Sequence, residues 1–197
     1  MKPTIGFAMC GSFCTFRAAL DALRVLAERY RVIPIFSEAA ASVDSRFGTA
    51  RDFLARAEGI CGCEALRTLA GVEPLGPKKQ LDLLAVAPCT GNTLGKLACG
   101  IADGAVPFAC KAHLRNARPL VLALATNDGL CGSAESLGKL LRRRHYYFVP
   151  FRQDDPQKKP YSLVADYALL PQTVETALEG RQLQPLLCRD PAPGQRA

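Results

Sequence analysis

The sequence lacks any apolar run long enough to cross a membrane. A membrane-spanning helix needs about 18 or more consecutive apolar residues, and charged or polar residues interrupt every shorter run of this 197-residue chain. The N-terminal stretch MKPTIGFAMC also lacks the small-residue cleavage site of a secretory signal peptide. We therefore expect this stretch to be the first strand of a cytoplasmic protein with no membrane partner.

Motifs for metal ions and for common nucleotides are also missing. The chain has nine cysteines but no C-x-x-C pair, and neither of its two histidines has a Cys or His at ligand spacing. We therefore expect no metal site, and we interpret the cysteines as reduced thiols. Neither G-x-G-x-x-G nor the phosphate-binding G-x-x-x-x-G-K-[ST] occurs, which removes the dinucleotide fingerprint.

The formal charge of +7 is not concentrated into a nucleic-acid footprint. Basic residues are dispersed apart from Arg142–Arg144, at the end of a helical pattern, and the stretch QKKP. Cations at a helix C-terminus complement the helix dipole, and no nucleic-acid motif accompanies them. We expect no nucleic-acid partner, whereas a small anionic substrate suits this charge.

Apolar runs that resemble buried strands alternate with helical patterns along the chain. Such alternation predicts an α/β fold: a three-layer, Rossmann-like (flavodoxin-like) parallel sheet with helices on both faces. We expect a single domain over residues 1–187 and a disordered tail over 188–197. The predicted strands are 4–9, 31–37, 81–88, 119–126 and 145–151, and the predicted helices are 15–30, 45–60, 92–100, 133–144 and 162–180, the last bent or broken at Pro171.

Small polar residues follow the predicted strands, where open α/β sheets bind their ligands. Gly11 and Ser12 follow the first strand, and Ser37 follows the second. The third strand runs into Pro88, Thr90, Asn92 and Thr93, and the fourth into Thr126 and Asn127. Asn92 and Thr93 could cap the helix that follows, but the loop offers more polar groups than a cap uses. Together these loops predict one site for a phosphorylated ligand with a polar-edged aromatic ring, which FMN satisfies.

The stretch APCTGNTLGKLACGIAD (87–103) resembles the flavoprotein family of FMN-dependent Cys decarboxylases. The residues that match this family's pattern are Pro88, Asn92, Thr93, Lys96, Gly100 and Asp103. The resemblance implies FMN as cofactor, with Gly11, Ser12 and Ser37 among its contacts. One departure matters: those decarboxylases use a His upstream of the Asn-Thr pair, and this chain has none between Ser37 and Asn92. We interpret His113 and His145 as packed or surface residues.

A closer resemblance extends from about Ile5 to Leu187. The stretches GSFCTF, SRFGTARDF, LATNDGL and QDDPQKKP, the last being the most specific, are similar to those of the dipicolinate synthase B subunits. That resemblance implies part of an oxidoreductase, acting on CH–CH or ring C–N groups, that helps to oxidise a dihydrodipicolinate-type precursor in the cytoplasm of a sporulating mother cell. It also implies a partner, the dipicolinate synthase A subunit, that carries NAD(P), and a trimer-based homo-oligomer.

A substrate with two carboxylates calls for cations. We name Arg46, Lys78, Lys96, Lys158 and Lys159 as candidates, and we expect Asn92, with Lys96 second, to orient the substrate against a flavin ring. Two alternatives remain open. The chain could be a flavin-free scaffold or substrate-binding module for its nicotinamide-dependent partner, or, with less support because of the missing His, an FMN-dependent decarboxylase.

Overall fold

A parallel sheet built from the predicted apolar runs forms the centre of the protein. The computed structural model describes residues 2–188, so most of the predicted tail 188–197 lies outside the described residues. The sheet order is β2-β1-β3-β4-β7-β6, with β5 also paired to β4. The strands are β1 (Thr4–Met9), β2 (Arg31–Phe36), β3 (Leu83–Cys89), β4 (Leu120–Thr126), β5 (Tyr146–Phe148), β6 (Phe151–Arg152) and β7 (Leu163–Ala165).

Helices cover both faces of this sheet, which confirms the predicted α/β fold. Alternate side chains of β1 point to opposite faces: Ile5, Phe7 and Met9 join one core cluster, and Ala8 joins the other. The first cluster contains side chains of α1, α3 and α8, and the second those of α5, α6 and α7. The helices are α1 (Phe16–Arg29), α2 (Glu38–Ser42), α3 (Ala50–Cys61), α4 (Leu69–Val72), α5 (Gly91–Cys99), α6 (Ala105–Leu114), α7 (Ala134–Leu141) and α8 (Leu170–Leu178).

The first five strands are parallel, and their order 2-1-3-4-5 is that of flavodoxin-like sheets. All of their carboxyl ends therefore meet at one edge. β2 is the edge strand of this sheet: it pairs along its length with β1, and on its other side an isolated bridge joins Ile35 to Leu66. A proline has no N–H for a second ladder, so it is tolerated in a strand of this kind.

The last predicted helix, 162–180, is wrong in its first third. Residues Leu163–Ala165 form β7, which pairs antiparallel with the end of β4 and with β6. Its short apolar stretch does not distinguish a strand from a helix by periodicity, and the open edge of β4 decides the outcome. Pro171 lies in the first turn of α8 rather than at a bend, where its missing N–H has no intrahelical partner to lose.

Candidate functional site

Two adjoining clefts lie at the carboxyl edge of the sheet and share Gly11 and Thr90 in their lining. We call the larger, about 560 Å³, the β4-side cleft, because the ends of β1, β3, β4 and β7 border it. The smaller, about 410 Å³, is the β2-side cleft, bordered by the ends of β1 and β2, by α5 and by the start of α6. Both volumes lie in the range of roughly 300–1,000 Å³ that is usual for small-molecule sites.

Most residues predicted for the site border one cleft or the other. Lining the β4-side cleft are Ser12, Arg46, Thr126, Asn127 and Lys159. Lining the β2-side cleft are Ser37, Asn92, Thr93 and Lys96. Pro88, Lys78 and Lys158 line neither. The sheet therefore brings residues from four separate strand ends into one continuous region.

Pro88 belongs to the support beneath the clefts rather than to their surface. It is a fully enclosed residue of β3, and its carbonyl accepts a hydrogen bond of 3.2 Å from the N–H of Cys10. This bond joins the end of β1 to the end of β3. Pro88 thereby helps to set the separation of the two loops that carry Gly11 and Thr90.

Thr90, not Asn92 or Thr93, is the N-cap of α5. Its hydroxyl oxygen accepts the N–H of Thr93 at 3.2 Å and donates to the Thr93 hydroxyl at 3.1 Å. Thr93 is buried and in turn donates to the Cys10 sulfur at 3.2 Å. The expectation of Asn92 or Thr93 as the cap is wrong, because the helix starts one residue earlier than predicted. Asn92 is thus left without a capping role.

Asn92 and Lys96 differ in how much of their polar surface is available. Asn92 is exposed in the first turn of α5, and its amide makes no hydrogen bond within residues 2–188. Lys96, one turn further on, forms an ion pair with Asp103 at 2.8 and 2.9 Å. That ammonium lowers the pKa of Asp103, chiefly by hydrogen bonding. An incoming anion would compete with Asp103 for Lys96, whereas the Asn92 amide is open.

A hydroxyl–carboxylate network that the sequence analysis missed fixes the loop after β4. Asp128 accepts hydrogen bonds from the hydroxyls of Thr126 and Ser133, the latter at 2.9 Å. These bonds, with that of Thr126 the strongest, lower the pKa of Asp128. The position of Asp128 directly after Thr126 and Asn127 was an available signal. Without the fold, however, nothing identified Ser133 as its partner.

Gly91 is the second residue that sequence reasoning missed. A Cβ at Gly91 would lie 2.7 Å from the hydroxyl oxygens of Ser133 and Thr126, and 2.8 Å from an Asp128 carboxylate oxygen. These distances are far below van der Waals contact. The start of α5 therefore packs directly on the Asp128 network, and only glycine fits there without a shift of its neighbours.

Three buried thiols beneath the clefts are not activated. Cys10, Cys89 and Cys110 are buried, and burial raises the pKa of all three, that of Cys10 to about 11. A thiol is nucleophilic as its thiolate, which burial disfavours. These cysteines act as small apolar residues of the core.

The phenol of Tyr167 is the one buried side-chain oxygen or nitrogen within residues 2–188 that has no hydrogen-bond partner. Burial raises the pKa of Tyr167, and the nearby hydroxyl of Thr15 opposes part of that rise. Thr15 lines the β4-side cleft and donates its own proton to the Ser12 carbonyl at 2.8 Å. An unsatisfied phenol therefore lies just behind the cleft wall.

Neither histidine reaches a cleft. His113 is buried in α6, and its Nε2 lies 3.0 Å from the Pro119 carbonyl. Burial lowers its pKa to about 4, so it is neutral at physiological pH. His145 precedes β5 and lines neither cleft. The interpretation of His113 as a packed residue agrees with its burial.

Residues 2–188 contain no cluster of His, Cys, Asp or Glu that could hold a metal ion. None of the helices in these residues has the length and hydropathy to cross a bilayer.

Comparison with known proteins places this geometry in context. The flavoprotein family profile, described as "Flavoprotein", matches residues 1–137. The chain is 43% identical over 184 residues to the dipicolinate synthase B subunit of Bacillus subtilis (strain 168), covering 93% of this chain and 92% of that protein.

Two solved structures are similar to this chain over most of its length. The crystal structure of the dipicolinate synthase B subunit from Bacillus halodurans C is similar with a TM-score of 0.87 and 36% identity, covering 95% of this chain and 96% of that one. The FMN-dependent cysteine decarboxylase SpaF is similar with a TM-score of 0.67 and 19% identity, covering 90% of this chain and 95% of its own. The second likeness concerns the fold alone.

Proposed function

Since the chain belongs to the flavoprotein family and, within it, to the dipicolinate synthase B subunits, we propose that it is the FMN-binding component of a dipicolinate synthase. In this proposal it works with the nicotinamide-dependent A subunit to oxidise a dihydrodipicolinate-type precursor to dipicolinate. The observation that carries the proposal is the convergence of polar residues from four strand ends on two clefts that share Gly11 and Thr90.

The residues around the shared rim fit FMN. Gly11 keeps the loop after β1 free of a side chain at the rim. A Cβ there would lie 3.3 Å from the Cβ of Ala39, which is closer than an ordinary contact. Hydroxyl and amide groups, which suit the ribityl chain and the polar ring edge, surround the rim. We propose that FMN lies across it, held by Gly11, Ser12, Ser37, Thr90, Asn92, Thr93, Thr126 and Asn127. When bound, the flavin would supply a ring able to accept hydride.

The chain's own residues would bind and orient the substrate. Arg46 offers a guanidinium that has no acidic partner within residues 2–188, and it lines the β4-side cleft. Guanidinium groups bind carboxylates through two parallel hydrogen bonds. The exposed amide of Asn92 would orient the substrate ring against the flavin. Lys96 would bind a substrate carboxylate if that carboxylate displaced Asp103. Aromatisation makes the loss of two hydrogens favourable, so orientation is the protein's main task.

One observation favours a second candidate, a flavin-free scaffold for the nicotinamide-dependent partner. The polar groups of the loop after β4 satisfy each other, because Asp128 receives the hydroxyls of Thr126 and Ser133. A loop closed in this way does not need a ligand. In this alternative, the clefts are inherited architecture and the catalysis belongs to the partner.

A titration of the purified protein with FMN, followed by the quenching of flavin fluorescence, separates the two. We expect saturable binding by the wild type and at least tenfold weaker binding by Asn92→Ala, because the variant loses an exposed amide that supports nothing else. Gln172→Ala removes an exposed amide from α8, outside both clefts, and is the matched control.

Synthase activity of the nicotinamide-dependent partner, alone and with this chain, completes the test. The proposal predicts that the complex is active only with FMN bound and that Asn92→Ala lowers its rate. A fully active complex that binds no flavin would establish the scaffold. Equal activity of the partner with and without this chain would sink both candidates.

A further inference from the structure

A third pocket lies beside the β4-side cleft. It has a volume of about 270 Å³ and is lined by Phe13, Cys14, Arg17, Phe47, Phe53 and Arg56. It shares Cys14 and Phe47 with the cleft, so the Phe47 ring stands between the two. We call it the arginine–aromatic pocket. None of the residues predicted for FMN or substrate lines it.

A tight turn holds the Phe47 ring in this exposed place. Ser45 and Gly48 exchange two backbone hydrogen bonds, of 3.0 and 3.1 Å. Gly48 has a φ of 143°, and a Cβ there would lie 2.9 Å from the Phe53 ring. The turn can therefore pass over Phe53 only with glycine at this position. Phe47 remains 45% exposed, and the turn fixes the backbone that carries it.

Two phenylalanines of the pocket, Phe13 and Phe53, both pack against the buried Phe16. Phe13 lies 5.3 Å from Phe16, and Phe16 meets Phe53 edge-on at 4.9 Å, both measured between ring centroids. On the cleft side, the Arg46 guanidinium lies 4.9 Å from the Phe47 centroid. The pocket thus offers aromatic side chains against which a flat ring can pack.

The two arginines of the pocket carry uncompensated charge. Arg17 comes from the first turn of α1 and Arg56 from the middle of α3. Within residues 2–188, neither side chain makes an ion pair or a hydrogen bond, and no carboxylate lines the pocket. Arginine stays charged at every physiological pH. Two guanidinium groups beside aromatic rings therefore form a ready site for a ligand with anionic groups.

We propose that the arginine–aromatic pocket is a second ligand site, separate from the FMN and substrate clefts, that binds a small flat aromatic dicarboxylate. The phenyl walls take the ring, and Arg17 and Arg56 each take a carboxylate. An inorganic phosphate would use the arginines but leave the phenyl rings without a partner, so a flat organic dianion fits the lining better. The choice of dipicolinate as the particular dianion rests on the proposed function, in which dipicolinate is the product formed in the adjoining clefts.

Isothermal titration of the purified chain with dipicolinate tests the proposal. We expect a binding event that Arg17→Ala and Arg56→Ala each weaken at least tenfold. Arg51→Ala removes an exposed arginine of the same helix α3 that lies outside the pocket, and is the matched control. Benzoate, with one carboxylate, should bind at least tenfold more weakly than dipicolinate.

Several results would overturn the proposal. These are absence of binding by the wild type, binding that Arg17→Ala and Arg56→Ala leave unchanged, and competition by inorganic phosphate as strong as that by dipicolinate, which would indicate a simple anion site. FMN affinity of the same variants is measured in parallel and should not change. If the proposed function were wrong, the wild type would bind no FMN, and this result would be independent of the dipicolinate titration.

Discussion

The two clefts meet at Gly11 and Thr90, yet they use polar residues in opposite ways. In the β4-side cleft, Thr126, Asp128 and Ser133 bond to one another and hold the loop that carries Asn127. In the β2-side cleft, Asn92 is exposed and Lys96 is paired only with the exposed Asp103. The shape of the β4-side cleft therefore depends on hydrogen bonds among its own residues. The β2-side cleft instead presents polar side chains that contribute little to holding the fold. Changes in the first should cost stability, and changes in the second should cost binding.

The largest effect that would sharpen this contrast is expected for Gly91→Ala. Its new Cβ would meet three oxygens at 2.7–2.8 Å, so the start of α5 or the loop after β4 has to shift. We expect a loss of about 1–3 kcal/mol in the free energy of unfolding, as for other overpacked sites. Urea denaturation monitored by circular dichroism measures it.

Gly95→Ala is the matched control for this prediction. Gly95 lies inside the same helix, and a Cβ there has only the Ser136 hydroxyl within reach, at 4.0 Å. This variant should gain about 0.5–1 kcal/mol from the better helix propensity of alanine. If the two variants were equally stable, the tight contact between α5 and the Asp128 network would be refuted.

A smaller effect is expected from two carboxylates, one in each region. Asp128→Asn replaces an acceptor of two hydroxyl protons and should lower the free energy of unfolding by about 1–2 kcal/mol at pH 7. Asp103→Asn removes an exposed partner of Lys96 and should leave stability nearly unchanged, because solvent screens an exposed ion pair. Equal losses from the two substitutions would break the comparison between the clefts.

The pH dependence of Asp128 has a definite sign. Its pKa is lowered in the folded protein, so the unfolded chain binds the proton more readily. The stabilisation is therefore present above the ordinary carboxyl pKa of about 4 and disappears as the pH falls below it. Urea titrations between pH 5 and pH 2 should show a shallower loss of stability for Asp128→Asn than for the wild type.

A small effect of the opposite sign is expected for Tyr167→Phe, behind the wall of the β4-side cleft. The phenol is buried without a hydrogen bond in residues 2–188, so its removal should leave stability unchanged or raise it by up to about 1 kcal/mol. Thermal or urea unfolding of the unliganded protein checks this. A loss of more than about 1 kcal/mol would show that the phenol has a partner, and it would remove this contrast with the satisfied Asp128 network.

How far the site could be predicted differs between its residues. The loops after the strands could be located because long buried strands have unmistakable apolar runs, and ligands bind where parallel strands end. The start of α5 was predicted one residue too late, which is the usual uncertainty of a helix boundary, and the role of Thr90 as its cap was missed for that reason. Asp128 and Gly91 were missed because their importance lies in contacts with Ser133 and Thr126, which local pattern does not reveal.

By itself, the sequence determined the layered α/β fold, the polar loops at the strand ends and the position of the Asn-Thr pair, because periodicity and turn chemistry are local properties. Tertiary structure alone decided that Leu163–Ala165 would be a strand and that Pro88 would support the site rather than line it. It also decided that Arg17 and Arg56 would line one pocket together with Phe47. Each of these outcomes depends on which distant segments pack together, and burial and pairing between them outweigh local preference.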